Sequence, residues 1–104
     1  MFIVVYRWKL KRGMEEKFRQ AWRRATEAIS LRYGALGSRL HRAEDGSFVA
    51  YAQWPDKHHW EDMRKGSPAD PESFAVMREC IDSSVDYGYP FLAMTVTDDY
   101  LKHN

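Results

Sequence analysis

Clusters of apolar residues along the chain predict four β-strands, at residues 2–10, 36–43, 48–54 and 89–97. The third follows Asp45-Gly46, a pair typical of a hairpin turn because glycine accepts a positive φ. Its sequence, FVAYAQW, does not alternate apolar with polar residues, so both of its faces are predicted to be buried. A chain of this length has helix enough to cover one face of the sheet. We therefore expect a partner subunit to cover the other.

Between these strands the apolar residues recur at helical spacing. The first helix is predicted to begin near Met14 and to end before Gly34, with a charged outer face. The second helical region is predicted to be split at residues 65–68 into a short helix and one that begins at Asp70-Pro71-Glu72. The apolar positions assigned to these helices are Phe18, Ala21, Trp22, Ala25 and Ile29, then Trp60 and Met63, then Phe74, Met77, Ile81 and Val85.

The resulting order, β-α-β-β-α-β, predicts an α+β fold of the ferredoxin-like kind, with a four-stranded antiparallel sheet and all helices on one face. Residues 1–98 are expected to form one domain and residues 99–104 a polar tail. The last strand should lie at a sheet edge, yet it is apolar on both faces, which would favour aggregation if it stayed uncovered. We therefore expect a homodimer that packs sheet against sheet.

Composition limits the function classes. The chain has 104 residues and a formal net charge of +1, which gives no reason to expect a nucleic-acid or membrane partner. No apolar run approaches the roughly 18 residues of a membrane span, and no secretory leader is recognisable. A single cysteine, Cys80, excludes an internal disulfide and suits the cytoplasm.

The chain resembles the antibiotic biosynthesis monooxygenase family over about residues 2–97. Four features carry the resemblance: Tyr6-Arg7-Trp8 before a Lys-Arg-Gly break, the Phe18/Trp22 helix, Gly34-Ala35-Leu36-Gly37-Ser38, and Tyr51-Ala52-Gln53-Trp54-Pro55. The resemblance implies a dimeric α+β barrel with a pocket between helices and sheet. The family is functionally mixed and includes cofactor-free oxygenases of aromatic polyketides, quinol monooxygenases and haem-degrading enzymes. Fold likeness alone does not choose among them.

The haem-degrading members use an Asn, a Trp and a His ligand, which can be compared position by position. The Asn corresponds to Tyr6 here, and the Trp falls near Met63, one turn from Trp60. The His ligand falls at Ser73 or Phe74. Since all three positions differ, haem degradation is not expected.

A cofactor-free oxygenase needs a base, donors for an oxyanion and a dry pocket. Tyr6 is a candidate donor, although a core tyrosine bonded to backbone is the simpler interpretation. His58 or His59 is a candidate base, although both also suit a solvated helix start. No residues follow them at metal-ligand spacing, so no metal site is predicted. The candidate pocket walls, each of which also fits plain core packing, are Trp22, Trp54, Trp60 and Met63.

Two hypotheses follow. The first is a cofactor-independent monooxygenase acting on a small aromatic or quinol-like substrate, with Tyr6, His58 and His59 as catalytic residues. The second is a non-catalytic homodimer of the same fold that binds a small molecule or another partner. His41 is assigned to neither, because strand alternation with Leu40 points it away from the helices.

Overall fold

The computed structural model describes residues 1–88 and 91–101. Its elements follow the predicted order: β1 Phe2–Trp8, α1 Glu15–Tyr33, β2 Gly37–Arg42, β3 Phe48–Trp54, α2 Lys57–Lys65, α3 Pro71–Cys80 and β4 Phe91–Thr95. The four strands form one sheet in the order β2-β3-β1-β4, and all neighbours run antiparallel. The predicted ferredoxin-like α+β fold is confirmed, and so is the edge position of β4. The predicted start of that strand, residues 89–90, lies outside the described residues.

Strand alternation separates two faces of the sheet. Phe2, Val4 and Tyr6 of β1 face the helices, since all three belong to the apolar cluster that includes Trp60 of α2. Ile3, Val5 and Arg7 alternate with these residues and therefore lie on the opposite, outer face. There they are paired with residues of β3 and β4 on the same face. The helices therefore cover one face only.

The outer face of the sheet retains apolar surface. Leu92 and Met94 of β4 are 47% and 37% exposed. They pair with Val5 and Ile3 of β1. His41 is exposed on β2, and its Nδ1 lies 3.1 Å from the carbonyl oxygen of Val49, in agreement with the predicted outward direction.

The hairpin between β2 and β3 differs in detail from the tight primed turn expected from Asp45-Gly46. Five residues, 43–47, separate the two strands, the Ala43 amide donates to the Ser47 carbonyl, and only Gly46 in this segment has a positive φ, of 86°. The side chain of Asp45 accepts hydrogen bonds from the hydroxyl (2.6 Å) and the amide (2.9 Å) of Ser47, and pairs with Arg7. These bonds lower the pKa of Asp45 to about 2.

The third helix ends earlier than predicted. The sequence spacing placed Ile81 and Val85 on α3, which is wrong because the helix stops at Cys80. Ile81 pairs instead with Leu10 as an isolated bridge, and the amide of Asp82 donates to the carbonyl of Lys9. The side chain of Asp82 then accepts from the Ser84 amide and hydroxyl, which stabilises a turn in place of a further helical turn. Val85 is 39% exposed.

Among the described residues, none of the helices has the length and apolar character needed to cross a bilayer.

Candidate functional site

The core is divided into two clusters, and a cavity lies between them. One cluster gathers Phe18, Phe48 and their neighbours, and the other gathers Phe2, Val4, Trp54 and Trp60. The cavity, of about 170 Å³, is lined by residues of both clusters, and none of the described residues in its lining is charged. We call it the sheet chamber. Its aromatic walls are Tyr6, Trp8, Trp22, Trp54 and Phe74, and its aliphatic walls include Ile29, Met63 and Met77.

Small side chains on facing elements leave the room for this chamber. Ala50 and Ala52 line it from β3, between the large rings of Phe48 and Trp54 on the same strand face. Ala25 lines it from the buried stripe of α1. Larger residues at these three positions would fill the space, because protein interiors pack without voids where side chains can reach.

Tyr6 is one of the residues that bring a hydroxyl to the lining of the chamber. Its hydroxyl accepts a hydrogen bond of 3.3 Å from the indole nitrogen of Trp60, and no other bond to this hydroxyl occurs among the described residues. Burial raises the pKa of Tyr6, and this outweighs the opposing effects of the Trp60 bond and the nearby Arg64 guanidinium. The hydroxyl is therefore neutral at physiological pH and keeps its own proton available to donate.

A second polar group on the chamber wall has no partner. The indole nitrogen of Trp54 is buried and lacks an acceptor among the described residues. Trp54 itself is 2% exposed and lines the chamber. Buried donors are nearly always paired, so this indole nitrogen is an exception among the described residues.

A wider cavity of about 380 Å³ adjoins the chamber and shares four of its lining residues: Tyr6, Ile29, Met63 and Phe74. It opens between the end of α1, the end of α2 and the start of α3. Its remaining lining includes Tyr33, Arg64, Arg78 and the loop from Gly66 to Ala69. We call it the arginine mouth.

The rim of the mouth is held against α1 by side-chain bonds. Tyr33 donates from its hydroxyl to the carbonyl of Ser67, and Arg32 donates to the Ser67 hydroxyl. Gly66 lets the rim approach this closely, because a Cβ at that position would lie 2.3 Å from the Tyr33 hydroxyl oxygen.

The structure brings four predicted site residues together and leaves three outside the lining. Tyr6, Trp22, Trp54 and Met63 all line the sheet chamber. Trp60 lies outside the lining, where its indole nitrogen donates to the Tyr6 hydroxyl and its ring packs against Phe2.

Neither predicted base lines the chamber or the mouth. His58 lies on the exposed side of α2, 3.5 Å from Asp62. His59 has its Nδ1 2.8 Å from Asp56, the residue that caps α2. Across the described residues, there is also no group of three or more His, Cys, Asp or Glu side chains that could hold a metal ion.

The family model for antibiotic biosynthesis monooxygenases matches residues 1–71, about two thirds of the chain. The chain belongs to this family. No curated protein matches the sequence.

Solved structures similar to this family member show the same fold. One is SnoaB, a cofactor-independent oxygenase from Streptomyces nogalater, at 17% identity over 97% of both chains with a TM-score of 0.76. Another is a protein assigned to the antibiotic biosynthesis monooxygenases from Caulobacter crescentus CB15, at 14% identity over 93% of this chain and 90% of that one, with a TM-score of 0.72. A conserved protein from Methanosarcina mazei Go1 has 16% identity over 89% of each chain and a TM-score of 0.69.

Sequence reasoning did not identify the two arginines of the mouth in this family member. Arg64 and Arg78 lie on different helices, and nothing in their spacing indicates that they meet at one cavity. The sequence did contain a signal for the chamber: Ala50 and Ala52 stand at the helix-facing parity of an otherwise bulky strand.

Proposed function

We propose that this protein is a monooxygenase that oxidises a small phenol or quinol with molecular oxygen and needs no bound cofactor. The observation that carries the proposal is the sheet chamber, an uncharged aromatic-walled cavity with Tyr6 as a neutral donor on its wall. Its volume of about 170 Å³ is close to that of an engineered apolar cavity of about 150 Å³ that binds benzene. A single ring therefore fits, whereas fused ring systems would require the chamber to widen.

The reaction is balanced without an external reductant. A quinol reacts with one O₂ to give a hydroxyquinone and one water, so the ring gains one oxygen atom and supplies all four electrons. Loss of a phenolic proton comes first, because the phenolate is the electron-rich species that can pass an electron to oxygen. An uncharged, largely apolar site favours this chemistry by limiting the water around the reactive intermediates.

Tyr6 would donate its proton as a hydrogen bond to the substrate oxyanion. A tyrosine is neutral at physiological pH and can donate, and burial, which raises the pKa of Tyr6, leaves it in that form. Trp22, Trp54 and Met63 would contact the ring.

The base remains a separate part of the proposal. His58 and His59 were predicted for this role from the sequence, and their assignment stays a prediction. Neither histidine lines the chamber, so we propose that the substrate proton leaves through the mouth to water. His59 would accept the proton only after it has left the mouth. Mutation of both histidines to alanine should then lower kcat by less than mutation of Tyr6.

We also propose that the protein works as a homodimer through the outer face of the sheet, in the cytoplasm. The exposed Leu92 and Met94 support a covering subunit. Sedimentation at micromolar concentration should give a dimer, and Leu92→Lys with Met94→Lys should give a monomer. A well-folded wild-type monomer under these conditions would refute this part.

The alternative function is a binding protein without turnover. One observation favours it: the described linings of chamber and mouth contain no carboxylate or imidazole. Oxygen uptake measured with a panel of quinols, phenols and anthrones separates the two functions. We expect turnover with single-ring quinols that falls sharply in Tyr6→Phe. No uptake with any compound, while the same compounds quench tryptophan fluorescence, would favour the binding protein.

A further inference from the structure

The arginine mouth has an unbalanced charge. Arg64 and Arg78 both line it, and no acidic residue does so in the described part of the chain. Neither guanidinium takes part in an ion pair there, although six other Lys or Arg side chains do. Two cations without anionic partners at the opening of an apolar cavity provide an electrostatic environment that suits an anion.

Arg64 is also held in place. Its guanidinium lies 4.8 Å from the ring centroid of Trp60 and 4.6 Å from that of Phe91. Stacking on rings restricts the side chain while leaving its N–H donors available at the ring edges. A guanidinium that is already ordered loses less conformational freedom when it binds a carboxylate.

The two cavities together match a molecule with two chemically different ends. The chamber accepts an apolar ring, and the mouth offers two arginines. The two cavities are continuous, since they share the lining residues Tyr6, Ile29, Met63 and Phe74. We propose that the ligand is a single-ring aromatic acid, whose ring occupies the chamber and whose carboxylate arm reaches Arg64 and Arg78. This inference rests on the proposed function for the reaction, but it makes a claim about binding that stands apart from turnover.

The test compares acids with uncharged analogues of the same shape. Para-hydroxyphenylacetate and para-hydroxybenzoate are titrated into the protein beside their amides, and binding is followed by quenching of the tryptophan fluorescence. A charge-assisted bond to an arginine should make at least one acid bind about tenfold or more tightly than its amide. The preference should shrink at high salt, because the mouth is open to solvent.

Variants then assign the preference to the two arginines. Arg64→Gln with Arg78→Gln should bring the ratio of acid affinity to amide affinity close to one, since only the acid carries the charge that the arginines complement. Arg64→Lys with Arg78→Lys should restore part of it. Arg12→Gln is the matched control, because Arg12 is exposed on the turn before α1 and lines neither cavity. Thermal melts check that each variant is folded.

Three outcomes of the binding experiments would contradict the proposal. Equal binding of acid and amide, or a preference that survives the glutamine pair, would overturn it. Displacement of the acid by acetate or inorganic phosphate at equal concentration would mean that the mouth binds free anions and the ring adds nothing. Absence of saturable binding by both acids at millimolar concentration would also overturn it. Arginine-dependent binding of the acids, with no oxygen uptake for any quinol, phenol or anthrone of the panel, would refute the proposed oxygenase alone. Uptake with neutral quinols but no preference for the acids would refute the aromatic acid alone.

Discussion

Replacing Tyr6 with phenylalanine removes one oxygen atom and affects both stability and catalysis. Trp60 is 4% exposed and its indole nitrogen donates to the Tyr6 hydroxyl at 3.3 Å. Without that oxygen, a buried donor loses its acceptor, which costs about 1–3 kcal/mol. Because 3.3 Å is long for such a bond, we expect a value near the lower end of this range, about 1–1.5 kcal/mol. For a domain of this size, that corresponds to a decrease in Tm of roughly 4–12 °C.

Urea unfolding followed by tryptophan fluorescence measures the first effect. A double-mutant cycle with Trp60→Phe isolates it, because Tyr6→Phe should cost less once the indole N–H is gone. Tyr100→Phe is the control, since Tyr100 is 96% exposed and its hydroxyl faces solvent. An unchanged urea midpoint in Tyr6→Phe, or no coupling in the cycle, would refute the assignment of this bond as stabilising.

Oxygen uptake measures the second effect. Loss of an oxyanion donor lowers kcat by about a hundredfold or more in enzymes that depend on one. We expect this decrease in Tyr6→Phe at a temperature where the variant is fully folded, with little change in Tyr100→Phe. A folded variant with wild-type kcat would contradict the role of Tyr6 as a donor.

Three other predictions concern the fold around the site. The carboxylate of Asp45 should titrate in NMR with a pKa of about 2, below that of an unfolded aspartate. Its stabilising contribution should therefore be lost as pH falls from about 4 through 2, and a pKa equal to that of an unfolded aspartate would contradict the hairpin bonds. Gly66→Ala should lower the free energy of unfolding in urea by about 1–3 kcal/mol, because the new Cβ meets the Tyr33 hydroxyl. The decrease should be smaller in a Tyr33→Phe background, and equal decreases in both backgrounds would refute that contact. Phe18→Ala should lower the free energy of unfolding by about 3–5 kcal/mol, since Phe18 is fully buried, whereas Leu31→Ala on the exposed side of α1 should change it by no more than about 0.5 kcal/mol. Similar changes for both variants would contradict the packing of α1.

The sequence predicted most of the fold because local signals agree with the tertiary structure. The third strand is predicted at its observed bounds, since a turn precedes it and Pro55 follows it. The start of α3 is predicted as well, because Asp70 caps the helix by accepting from the Ser73 amide. Its end is not, because Ile81 is withdrawn from the helix by a bridge to Leu10, a contact that lies far away in sequence.

The site was predictable only in part, for the same reason. Tyr6, Trp22, Trp54 and Met63 line the chamber because each stands on the apolar parity of its element, which the sequence reveals. The distance of His58 and His59 from the chamber depends on how α2 is rotated against the sheet, and this is set by the packing of Trp60 on Phe2. The mouth depends on where the ends of three helices meet, so Arg64 and Arg78 carry no local signature.

The central claim is that a single-ring quinol reacts with oxygen in the sheet chamber. The most direct test uses ¹⁸O₂ and mass spectrometry of the product, with wild type and Ala50→Leu, which fills the chamber. The account expects one labelled oxygen atom in the hydroxyquinone from the wild type and almost none from a folded Ala50→Leu variant. Unlabelled product, or equal labelling by both proteins, would contradict it.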